Sequence, residues 1–171
     1  AEVTPDFTVT IAGEGELLVV GAAANATDGY DPGLDLPDAT PLLTLPRPAW
    51  GGNYERDLRA SYDPTQALKT WTFTASPAAS ASADYQVDLA FTPTFDAASG
   101  IEMLLRDHVT GSTIDLRDAG LYYSYTGSGV RMFDLSIGSA PSPLPTLVVD
   151  ITATCGAYSD PLTRAATHAN A

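Results

Sequence analysis

The chain has 171 residues, 44% of them hydrophobic, and sets 21 acidic against 8 basic side chains for a formal net charge of −13. That length suits one well-buried core and is short for two independent domains of usual size. So negative a surface repels phosphate backbones and argues against a nucleic-acid partner, and no apolar run approaches the roughly 20 residues of a bilayer-spanning helix.

The chain opens "AEVTPDF", the appearance of a secreted protein after cleavage behind a small residue, and the expectation is export to the extracellular space or cell surface. "DFTVTIA" (6 to 12) alternates with the two-residue period of a half-buried strand, and "ELLVVGA" (16 to 22) is a continuous apolar run that reads as a fully buried one. Residues 23 to 68 lack clear alternation and read as a long irregular loop region over one end of the domain, with an irregular edge strand at "NYERDLRA" (53 to 60). One helical turn is expected at "PTQALKT" (64 to 70), after Asp63.

From residue 69 alternation returns in "KTWTFTA" (69 to 75), "DYQVDLAF" (84 to 91), "GIEMLLRD" (100 to 107), "STIDLRD" (112 to 118), "LYYSYTG" (121 to 127) and "VRMFDLSIG" (130 to 138). Turn residues punctuate these runs. "DHVTGS" should fold 101–107 against 112–118, and Gly127 and Gly129 permit the positive φ of a hairpin tip joining 121–127 to 130–138. After the Pro-rich linker 139–145, "TLVVDITATC" (146 to 155) is another strong strand, and Asp160 and Pro161 offer the start of a short terminal helix. Cys155 is the only cysteine, which excludes an intrachain disulfide and a thiolate metal cluster, and it reads as a small buried apolar residue. The pattern predicts an all-β protein, an antiparallel β-sandwich of Ig-like or jelly-roll-like form, as a single domain over 1–171. Within it stand N-terminal strands (1–22), the loop region (23–68), sandwich hairpins (69–138), the linker (139–145), and a C-terminal strand and tail (146–171).

"ATDGYDPGLDLPDATP", "NYERDLRASYD", "KTWTFTA", "LLRDHVTGSTIDLR" and "YYSYTGSGVRMFDLSIG" follow one another in an order that resembles a poorly characterised extracellular bacterial module. That module carries a DGxDxxxDxP segment and is usually found near the C-terminus of secreted multidomain proteins. The resemblance covers residues 27 to 138 and implies a β-sandwich, export and no enzymatic activity.

Asp28, Asp31, Asp35 and Asp38 are spaced three, four and three, but Pro32, Gly33 and Pro37 exclude a helix and place them on a loop. Two readings stand: Asx turns that hydrogen-bond nearby amides, or a cation site, with calcium suited to carboxylates on an irregular loop. Arg56 and Arg59 are candidate partners that would clamp these carboxylates to the strand at 53–60. Trp50, with Tyr54 and Tyr62, is either an aromatic platform for a polysaccharide or a plug for one end of the core. His108 and His168 lie in no hydrolase motif, so catalytic residues are expected to be none. The terminal strands, 6–12 and 146–155, suggest self-association. The expected function is a secreted structural or adhesive protein, a surface or filament subunit built by β-strand exchange; the alternative is a carbohydrate-binding module.

Overall fold

A computed structural model describes residues 5–38, 42–78, 82–96 and 99–139. The strand expected at 146–155, the terminal helix after Asp160, Cys155 and His168 lie outside the described residues.

Among the described residues the protein is all-β. Its strands are β1 (Phe7–Gly13), β2 (Glu16–Ala23), β3 (Leu36–Pro37), β4 (Leu43–Arg47), β5 (Gly52–Ala60), β6 (Leu68–Ala75), β7 (Gln86–Pro93), β8 (Glu102–Asp107), β9 (Thr113–Asp115), β10 (Tyr122–Thr126) and β11 (Arg131–Gly138). One 3-10 turn, Pro48–Trp50, stands between β4 and β5. The expected turn after Asp63 is present: the amides of Gln66 and Ala67 donate to its carbonyl, and its side chain accepts from Thr65 N–H at 2.9 Å.

Alternation explains most of these strands. Phe7, Val9 and Ile11 of β1 are buried while Thr8 and Thr10 are half-exposed, and Trp71, Phe73 and Ala75 of β6 repeat the pattern. Each strand thus presents one apolar row to a shared interior. At Gly21 of β2 a β-carbon would stand 2.2 Å from the Phe7 carbonyl oxygen of β1; only glycine fits there.

The strands join in one sheet of order β10-β7-β1-β2-β5-β4-β6-β11-β8-β9, with β3 attached to β5. The sheet curls into a half-barrel, so that Tyr123 and Tyr125 of β10 meet Phe133 of β11 at 5.8 and 5.6 Å between ring centroids, although six strands separate β10 from β11 in the order. This differs from two separately paired sheets because β4 serves both halves: Leu45, Pro46 and Arg47 pair with β5, and Leu43 and Thr44 pair with β6.

The pairing is also mixed, not antiparallel throughout. β2 and β5 run parallel, with Val19 opposite Arg56 and Ala23 opposite Ala60. The chain between them, which holds β3 and β4, supplies the long crossover that a parallel pair requires. Residues 23–68 therefore hold β3, β4 and β5 between irregular stretches, and the segment expected at an edge, 53–60, lies in the middle of the sheet as β5.

The hairpin of 101–107 with 112–118 forms as β8 and β9, but β9 stops at Asp115, whose side chain accepts the Arg117 N–H at 2.9 Å and turns the chain. The second hairpin does not form. β10 pairs with β7 and β11 pairs with β6 and β8, so residues 127–130, exposed from Ser128 to Val130, link two strands that do not pair with each other. The positive φ values in this region fall at Gly120 and Leu121, before β10, and not at Gly127 or Gly129. The inward tyrosines of β10 favour this arrangement, since pairing beside β11 would deny them their edge-on and tilted contacts with Phe133.

Beyond the short β4–β6 contact, arginines take over from backbone pairing. Arg47 donates to the Thr72 carbonyl at 3.0 Å and Arg59 to the Thr70 carbonyl at 2.8 Å, while both reach the fully buried Asp57 carboxylate. The Arg59 guanidinium also lies 4.8 Å over the Trp71 ring. These planar donors satisfy β6 carbonyls that no strand meets and hold the two halves of the sheet together. No helix among the described residues is long and apolar enough to cross a membrane.

Candidate functional site

The aspartate loop is organised by its own carboxylates. Asp31 accepts from Thr27 N–H and Oγ1, and the buried Asp35 accepts from Asp31 N–H at 2.7 Å and from Leu58 N–H at 3.0 Å. Burial raises the Asp35 pKa, against those two amide hydrogen bonds. Asp28 pairs with Lys69 Nζ at 2.7 Å, and this hydrogen bond holds its carboxyl below the usual range. The Asp38 amide donates to the Asn53 carbonyl. Among the described residues no three carboxylate, imidazole or thiol groups converge as metal ligands would.

Arg56 clamps this loop to β5, but through backbone: its Nε donates to the Leu34 carbonyl and its Nη2 to the Gly33 carbonyl at 2.8 Å. Arg59 instead faces Asp57 and β6. A glycine-proline loop exposes carbonyls as readily as carboxylates, and the sequence does not say which a guanidinium will take.

Of the aromatic trio, two members come together. Trp50 and Tyr54 pack edge-to-face at 5.3 Å, the Tyr54 hydroxyl donates to the Trp50 carbonyl at 3.1 Å, and Tyr54 is only 5% exposed. The exposed Tyr30, which the pattern gave no reason to choose, joins them at 6.0 and 5.7 Å. Tyr62 belongs elsewhere: it packs against Phe7 at 5.4 Å and donates to the Ile137 carbonyl at 2.9 Å, and burial pushes its phenol pKa up.

His108 lies 2.7 Å from Asp134 Oδ2, and Thr72 Oγ1 donates to Asp134 Oδ1 at 2.6 Å. The carboxylate, not the imidazole, stands in the middle of this chain, so His108 is not placed to take a proton from the Thr72 hydroxyl as a triad histidine would. The arrangement ties the turn after β8 to β11 and β6.

A second fully buried carboxylate, Asp107, stands at the end of β8. It accepts from Arg131 Nε at 3.0 Å, from Arg131 Nη2, from the Tyr123 hydroxyl at 2.7 Å and from Val109 N–H at 2.9 Å. Burial works to raise its pKa, and these donors overcome it and bring it to about 2. Burial and the same carboxylate push Tyr123 up to about 12. The signal for this cluster is the phase of alternation: Met103, Leu105 and Asp107 share the inward face of β8, as Arg131, Phe133 and Leu135 share that of β11.

The cluster buttresses an open edge. β10 ends the sheet among the described residues, and the bonds from Phe91 N–H to the Leu121 carbonyl and from Gly127 N–H to the Tyr85 carbonyl set which of its residues face β7. Tyr123 and Tyr125 fall in that phase, leaving the backbone groups of Tyr122, Ser124 and Thr126 directed away from the sheet. β9, the other end, has three residues against the five of β10. No family model matches the chain, and no curated protein or solved structure matches it either.

Proposed function

We propose that the chain is an extracellular structural subunit that self-associates by strand addition, the segment 146–155 of one copy pairing with the β10 edge of the next. The observation that carries this reading is the β10 edge itself: five residues of regular strand whose outward amides and carbonyls have no neighbouring strand among the described residues. An edge of that kind is a template for another strand, and a three-residue edge such as β9 is a poor one. β1 is not available as a donor, because β2 and β7 flank it on both sides. The donor role then passes to 146–155, whose Leu147, Val149 and Ile151 alternate with Val148 and Asp150 behind a proline-rich linker that reaches roughly 3.1 Å per residue. A head-to-tail joint of this kind does not close and grows into a fibre. The resemblance to a secreted bacterial module and the acidic, lysine-poor surface are in keeping with an extracellular setting.

Ser124→Pro tests it. The Ser124 amide points away from β7, so proline removes no hydrogen bond from the fold and is tolerated as edge prolines are. The expected result is a protein with a melting temperature within a few degrees of Ser124→Ala, but monomeric by light scattering and free of fibres in negative stain. Assembly equal to that of Ser124→Ala would overturn the reading.

A further inference from the structure

Beside the first residue of β10 lies a cavity of about 430 Å³, lined by Phe91, Pro93, Phe95 and Leu121, with Thr92, Asp96 and Arg117 completing the wall. Its walls come from the end of β7, from the residues that follow it, and from the chain that leads into the open edge. Leu121 closes it in an uncommon conformation, a non-glycine residue at φ +58, fixed by its amide donating to the Leu116 carbonyl at 2.6 Å and its carbonyl accepting from Phe91. Backbone strain of this kind persists only where the surroundings impose it, and here it sets an aliphatic side chain in the wall of an apolar hollow.

A strand added to Tyr122–Thr126 has to pass this hollow, since Leu121 immediately precedes the edge. Such a strand sends alternate side chains toward the interior. In 146–155 the row Leu147, Val149, Ile151 is aliphatic throughout, whereas the opposite row carries Thr146, Asp150 and Thr152. We infer that the cavity is the anchor pocket for one aliphatic side chain of that row, donated with the segment 146–155 of this same protein. The inference rests on the strand-addition reading and adds to it the contact that fixes register: hydrogen bonds along an edge are alike at every second residue, and a side chain seated in one pocket selects among them.

Disulfide trapping in the full chain separates the two claims. In a Cys155→Ser background, Leu121→Cys is combined in turn with Leu147→Cys, Val149→Cys and Ile151→Cys, oxidised, and resolved on non-reducing gels with mass spectrometry of the linked peptides. The expected result is a covalent ladder of dimers and higher species, containing most of the material, for one of the three pairs. A disulfide confined to monomers would uphold the pocket and overturn exchange between copies. Fibres that form in every pair without a disulfide at 121 would overturn the pocket and leave strand addition standing. Monomers with no disulfide in any pair would overturn both.

Discussion

Asp107→Ala is expected to cost about 3–5 kcal/mol of folding stability, the range for removing one partner of a buried ion pair. The carboxylate is fully buried, and without it the Arg131 guanidinium, 13% exposed, and the Tyr123 hydroxyl lose their acceptor in the interior of the half-barrel. Urea denaturation followed by tryptophan fluorescence measures this loss, and a change below 1 kcal/mol would mean that the cluster does not brace the fold. The pH dependence follows with a definite sign. In the folded chain Asp107 titrates at about 2, below the ordinary 3.8. A depressed folded pKa stabilises above the unfolded value, so the contribution is whole at neutral pH. It amounts to about 2–3 kcal/mol there and disappears as the pH falls from roughly 4 toward 2. Many exposed acids also lose mutual repulsion on acidification, so wild type is compared with Asp107→Asn, in which this part of the acid slope should be absent.

Phe133→Ala is expected to destabilise by a comparable amount, about 3–5 kcal/mol, as large aromatic truncations in packed cores do. Phe133 stacks on Phe73 at 5.2 Å and meets Tyr123 and Tyr125 at its other faces. It is where β10 closes over β11, so its removal should loosen β10 more than the distant β1–β2 pair. Equilibrium unfolding gives the magnitude. Amide exchange at Tyr123 and Tyr125, compared with Val9 and Ile11, gives the location. Uniform loss of protection would contradict a curl held at this point.

Where the strands lie was legible because one face of each is apolar: the runs expected at 6–12, 69–75 and 130–138 appear as β1, β6 and β11 with small shifts. How they join was less so. Period-two alternation says which side chains point inward but not which strand lies alongside, and for that reason the apparent hairpin across Gly127 and Gly129 proved to be a link between unpaired strands, with β10 and β11 on different neighbours. The parallel β2–β5 pair was hidden for another reason. β5 has Asp57 and Leu58 both buried, with the acid held by Arg47, and a sequence reader sees a charged, irregular edge strand where the fold has a central one. The loop aspartates read as a set, yet their carboxylates answer to different partners: Thr27 for Asp31, Leu58 for Asp35, Lys69 for Asp28. Spacing along a glycine-proline loop carries no direction, so convergence at one point could not be read from it. Asp107 was available by phase alone, as a carboxylate in the register of Met103 and Leu105.

Amide hydrogen exchange on β10, compared between dissociated and assembled protein, tests strand addition most directly. The outward amides of Tyr122, Ser124 and Thr126 should exchange quickly in the dissociated chain and become protected on assembly, while Tyr123 and Tyr125, already bonded to β7, change little. Equal exchange at the three outward amides in both states would contradict it.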